Sequence, residues 1–184
     1  MRIIKIFFCF TFFIVLTGLN LYAQKNTDSL KLKLQSAKTD SVRIKILVDL
    51  AWFLCEERKF NEALNYCEVL RNTSERVNHY KGHGNAYIIS GAVYEKKEDF
   101  ITALTHYNKS YEIFKKGDVK AGVQRATEHI ARCYERFGKH ELAINFFNKA
   151  LAGAIKEHDT TVMVNLYNHI GRASHSLGKY PEAL

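Results

Sequence analysis

The sequence predicts an all-α protein, a solenoid of antiparallel helix pairs, and three observations carry that expectation. One proline (Pro181) and ten glycines in 184 residues are too few chain breakers for a turn-rich sandwich or barrel. Hydrophobic residues at 47% and charged residues at 25% are values of a chain with a packed core. Above all, the sequence repeats: small residues recur at Ala51, Gly91, Ala131 and Gly171, each 40 residues after the last. Self-similarity at a fixed period of this length is the mark of stacked repeats.

Each unit carries a four-part pattern. Three residues past the small residue stands a large one, Leu54, Tyr94 and Tyr134, with Ser174 as a weak fourth. Twelve residues past it stands alanine every time, at Ala63, Ala103, Ala143 and Ala183, and four further come Cys67, Tyr107 and Phe147. The first part of a unit has apolar residues at helical spacing, as in Ile44, Leu47, Leu50, Ala51 and Leu54. A short polar break follows at 57–59, 96–99, 138–140 and 178–179, and a second helix opens as in Phe60-Asn61-Glu62-Ala63-Leu64. Pro181 suits such an opening, because a first-turn residue has no use for its N–H. Ala51 or Gly91 is expected to face Ala63 or Ala103, letting paired helices approach closely while Tyr94, Tyr107, Tyr134 and Phe147 fill the gaps to the next unit.

On these residues the chain, from about 40 to 184, resembles the tetratricopeptide repeat family, and Gly178-Lys179-Tyr180-Pro181-Glu182-Ala183-Leu184 looks like a typical repeat middle. The interval exceeds the usual repeat of about 34 residues. It is similar to the longer variant of scaffold and bacterial signalling proteins. The resemblance implies a right-handed stack with first helices lining a concave face, and no catalysis or cofactor. Exported arrays of this kind often form the sensory front of membrane histidine kinases or transcription regulators, an analogy of fold. The expected division is a signal peptide at 1–23, a linker or cap at 24–39, repeats at 40–79, 80–119 and 120–159, and a partial fourth at 160–184. Because Leu184 falls early in a second helix, the array is expected to continue in a longer protein. The alternative is a lone helix capping the third unit.

The N-terminus reads separately. Arg2 and Lys5 precede an uncharged run from Ile6 to Leu19 and then Leu21-Tyr22-Ala23-Gln24, the layout of a secretory signal cut after Ala23. This makes the chain exported, periplasmic or secreted; an uncleaved anchor is the alternative, although the run is shorter than the ~20 residues of a spanning helix. Cleavage removes Cys9 and lowers the formal charge from +8 to +6, without any run of five basic residues that would point to nucleic acid. Of Cys55, Cys67 and Cys133, the last two are read as core fillers, and a Cys55–Cys67 pairing stays open.

The register sends Lys45, Val48, Trp52, Asn85, Ile88, Arg125, Glu128, Arg132, Arg136, Asn165, Asn168, Arg172 and His175 inward. Arginine and asparagine on a concave face suit the amides and carboxylates of a bound chain. The expected partner is therefore a protein or peptide with an acidic or C-terminal segment, gripped by Arg125, Arg132, Asn165, Asn168 and Arg172. The competing reading is a solvated face on which Glu128 and Glu135 pair with the arginines. Trp52 is either a pocket wall or packs under segment 25–39. His129 with Cys133, and His79 with His83, supply two ligands each where a structural zinc needs four, so no metal is assigned. Gly-Lys at Gly138 and Gly178 lacks the rest of a phosphate loop, and the adjacent Ser174 and His175 point about 100° apart, so no catalytic residues are assigned. The expected function is an interaction or sensory module; a scaffold working through its convex face, and the leading part of a signalling enzyme, are the rivals.

Overall fold

A computed structural model describes residues 26–178, which form eight helices without a strand. Helix α1 covers residues 26–36. Seven helices follow, α2 (Asp40–Glu56), α3 (Phe60–Arg76), α4 (Tyr80–Lys96), α5 (Phe100–Lys116), α6 (Lys120–Arg136), α7 (His140–Lys156) and α8 (Thr160–Ser176). Each has 17 residues and is joined to the next by three. Lys96 and His140, expected in breaks, are the last residue of α4 and the first of α7. The signal-peptide reading, Pro181 and Ala183 lie outside the described residues.

The turns explain this regularity. The middle residue of each, Arg58, Asn78, Glu98, Asp118, Gly138 and His158, takes a left-handed conformation with φ between 51° and 69°. The next N–H then returns to a carbonyl of the helix just ended, as from Lys59 to Leu54 (2.9 Å), Asp99 to Tyr94 (2.9 Å) and Val119 to Phe114 (2.8 Å). That same residue is the N-cap of the following helix, and in the turns before α5 and α8 its side chain takes part: the Asp99 and Asp159 carboxylates accept from the amides of Thr102 and Val162, each at 3.1 Å. One residue so closes one helix and opens another, leaving no slack in the spacing. Glutamate gains nothing from a left-handed backbone, so Glu98→Gly is expected to stabilise the protein by about 1 kcal/mol. A higher urea midpoint would show it, and an unchanged one would mean the turn is not strained.

Packing follows the small residues. The alanines Ala63, Ala103 and Ala143 are fully buried, as are Ala51 and Ala131. Closest to Gly91 is the ring of Tyr107, not the expected Ala103: a Cβ at 91 would lie 2.5 Å from it. In α5 the aromatic residue thus fills the notch itself, because its ring spans the gap and reaches the next unit, where it stacks on His129. Phe114 does the same between α4 and α6, where a Cβ at Gly84 or Gly122 would stand 2.3 or 2.5 Å from its ring. Leading helices α2, α4 and α6 touch in succession, whereas α3, α5 and α7 make no comparable contact with one another. A stack pinched along one side curves toward that side, so the leading helices line the concave face.

The two ends differ. Forty residues before the buried Cys67, Leu70 and Ser74 come Thr27, Leu30 and Leu34, so α1 lies in the register of a second helix. Its Leu30 and Leu34 pack on the first core cluster, and Lys31 reaches Glu62 at 3.3 Å. Its other side exposes Asp28, Lys33 and Gln35 together with Leu32. At the far end Val164 and Tyr167 of α8 are more than half exposed, although their counterparts Gly84 and Thr127 are buried. Cys55, Cys67 and Cys133 are all buried free thiols, unpaired in the structure. Burial, first among the causes, pushes Cys55 up to about 11 and the other two up to about 12, which keeps them protonated and inert.

Candidate functional site

Three columns cross the concave face, each made of one register position in successive units. They read Lys45, Asn85, Arg125, Asn165; then Val48, Ile88, Glu128, Asn168; then Trp52, Ala92, Arg132, Arg172. The middle column closes over Ile88, which is fully buried in the second core cluster and does not face the groove as expected. The close approach of α4 to its neighbours leaves no opening at mid-height. On one side of Ile88 lies a cleft of about 400 Å³ that includes Lys45, Val48 and Asn85. On the other, the C-terminal ends of α2, α4 and α6 form a larger cleft of about 720 Å³. Trp52, Ala92, Glu95, His129, Arg132 and Arg136 line it, with Arg58 and Glu98 from the turns and Phe100 from the start of α5.

Its floor is held by a largely buried carboxylate. Glu95 accepts a hydrogen bond from Tyr107 Oη at 2.7 Å, pairs with Arg132 across the unit boundary, and has His129 Nδ1 at 3.8 Å. Burial alone would raise the pKa of Glu95, but His129, Arg132 and Tyr107 outweigh it and bring it down to about 2. The His129 ring stacks on Tyr107, centroids 4.5 Å apart. One unit on, the arrangement returns: Arg172 bonds Glu135 at 3.1 Å, His169 Nδ1 lies 3.2 Å from it, and His169 stacks on Phe147 at 4.8 Å. One unit back, the same places hold Cys55, Ile89 and Ala92, so the first unit boundary is apolar at these places.

These pairs revise the expected grip. Arg132 and Arg172 are committed to Glu95 and Glu135, and Arg125 donates to Asn85 Oδ1 at 3.4 Å. Of the glutamates expected to pair with arginines, Glu135 does so, but with the next unit, while the partner of Arg132 is Glu95, which the sequence reading did not single out. Asn165, Asn168 and His175 lie exposed on α8, beyond the larger cleft. Lys96 pairs with Glu56 at 3.0 Å. Among the described residues, Arg58, Arg136 and Glu98 of the cleft form no ion pair; the guanidinium of Arg58 lies 5.6 Å over Phe60 and that of Arg136 5.6 Å over Phe100. Trp52 is half-buried between the first two core clusters and walls the cleft. Glu95 and Phe100 went unremarked in the sequence and His129 was weighed only as a metal ligand beside Cys133, yet Glu95 with Glu135 and His129 with His169 obey the 40-residue spacing that would have marked their shared role.

The convex side carries a smaller crevice of about 260 Å³ between α3 and α5, floored by Tyr87, Ser90 and Tyr94 of α4. Its rings form a ladder, Tyr87 to His106 at 5.8 Å and His106 to Tyr94 at 5.2 Å. Burial lowers the pKa of His106, with Lys109 and Arg71 adding to it. The histidine pairs weighed as metal ligands are placed otherwise: His79 Nδ1 accepts from the Gly82 amide at 2.9 Å as a helix cap, and His129 stacks as described. No described helix is long and apolar enough to cross a membrane.

Comparison with known proteins agrees with this geometry. The tetratricopeptide repeat family model matches residues 125–152, within the α6–α7 pair. A curated relative, outer dynein arm-docking complex subunit 4 of Danio rerio, is 30% identical over 132 residues, 69% of this chain and 26% of that protein. The chain thus spans about a quarter of the curated relatives it matches. Among solved structures, BtubC (BKLC) from P. vanneervenii superposes with a TM-score of 0.73 at 15% identity, over 88% of this chain and 68% of that one. A Rap protein complexed with Competence and Sporulation Factor gives 0.74 at 19% identity, over 90% and 48%. The repeat spacing, the matched segment and the shared right-handed solenoid together identify the chain as a tetratricopeptide-repeat protein, a protein-interaction fold.

Proposed function

We propose that this chain is an exported peptide- or protein-binding module, the sensory or scaffolding part of a longer signalling protein, and that it receives an extended segment of its partner in the larger concave cleft. The observation that carries the reading is the convergence of three consecutive leading helices on one cleft walled by Trp52 and Phe100. Half-buried aromatic walls beside charged side chains suit a peptide better than a reacting substrate. The Rap structure of the same fold was determined with a bound factor, and another neighbour is described as a signalling ATPase with a tetratricopeptide repeat sensor. Export rests on the basic start and uncharged run before Ala23.

A photo-crosslinking side chain placed at Lys96, in the cleft, or at Asn108, on the convex side, tests the binding surface in the native host. Adducts from position 96 and none from 108 are expected; adducts from 108 alone would move the surface to the convex face. The mature protein outside the cytoplasm is expected to begin at Gln24, and an intact Met1 in the cytoplasmic fraction would end the export reading.

A further inference from the structure

We propose that the larger concave cleft selects segments in which a bulky apolar residue is followed at once by a carboxylate, read by Arg58 and Arg136. This rests on the concave-cleft reading above. The interior arginine of the cleft is already spent on Glu95, and Lys96 on Glu56, so neither offers free charge. What the cleft leaves unpaired is two guanidiniums against one carboxylate, Glu98, a net positive mouth. Each guanidinium carbon lies 5.6 Å from the centre of a phenylalanine ring, a contact that restrains the side chain and lowers the entropy lost on forming a two-point contact. Trp52 and Phe100 stand within the same cleft, and its volume of about 720 Å³ admits several residues of a peptide. An apolar side chain against these walls places the next residue's carboxylate at the mouth, where the arginines are. The column of arginines that dominates the sequence is thereby structural, and the ligand-reading pair lies at helix ends and in a turn.

Trp52 is the only tryptophan of the chain, so intrinsic emission reports on this cleft. The full chain is titrated with short blocked Gly-Ser peptides carrying a central Phe-Glu, Phe-Gln, Ser-Glu or Phe-Lys pair. Phe-Glu is expected to shift Trp52 emission and to bind about tenfold or more tightly than Phe-Gln, the worth of one or two charged hydrogen bonds. The advantage should shrink with salt. In Arg58→Ala/Arg136→Ala it should fall below about twofold, in Arg136→Glu the preference should turn to Phe-Lys, and Arg172→Ala should leave it unchanged. If Phe-Gln binds as well as Phe-Glu and still shifts Trp52, the proposed selectivity is wrong and the cleft remains a binding site. If Ser-Glu matches Phe-Glu, or Arg172→Ala removes the preference, the anchor or the reader is misassigned and the proposal is overturned. If no peptide moves Trp52 emission, the cleft reading falls together with it.

Discussion

Phe114→Ala is expected to destabilise the protein by about 3–5 kcal/mol, the range for emptying a fully buried aromatic site. The ring lies between Gly84 of α4 and Gly122 of α6, so it belongs to two units at once and its removal opens a gap between them. Helices α4 and α6 cannot easily slide together to refill it, because both ends of each are pinned by three-residue turns. A second substitution makes the claim specific. In the natural background Gly84→Ala should cost about 1–3 kcal/mol, since its Cβ would meet the Phe114 ring. In Phe114→Ala the same change meets no ring and should stabilise α4 by up to about 1 kcal/mol through helix propensity. Urea denaturation of the four variants measures the coupling; additive effects would mean that the ring and the glycine do not share a contact.

Glu95→Gln is expected to destabilise by about 2–3 kcal/mol at neutral pH. Arg132, about one-third exposed, would lose its carboxylate, and Tyr107 would donate to a neutral amide. The pH dependence identifies the cause. The folded pKa of Glu95 is depressed to about 2 from an ordinary 4.5, so its contribution is complete above about 4.5 and disappears as pH falls toward 2. The gap in stability between the natural protein and Glu95→Gln should therefore close across that window. A gap that stays constant down to pH 2 would show that the loss comes from packing and not from the charge.

Much of this architecture is legible in the sequence because the solenoid has one rule applied repeatedly. Ala63, Ala103 and Ala143 mark second helices, and Ala51, Gly91 and Ala131 mark first helices, at places where size decides whether two backbones can meet. What the sequence did not reveal is what each inward side chain does once units stack. Arg132 has Glu128 and Glu135 nearby on its own helix, and local spacing favours those as partners. The structure gives it Glu95, 37 residues away, because adjacent leading helices bring their last turns together. Ile88 was misplaced for a related reason: helical periodicity defines a face, but only the distance to the next helix says whether that face is open. Phe100 and Arg58 come from segments outside the leading helices, so a reading confined to those helices passes over them.

The uneven chemistry of the unit boundaries sets an order of failure. Between the first two units, Cys55, Ile89 and Ala92 occupy the places that Glu95, His129 and Arg132 hold one boundary later, so the interior of that seam holds no carboxylate and its Lys96–Glu56 pair lies at the exposed rim. Beyond it, Glu95 and then Glu135 each serve as a single ionic rivet between neighbouring units. Strong acid should release the rivets and leave the apolar seam shut, so that the array unzips from its α8 end while the segment from α1 to α4 stays closed.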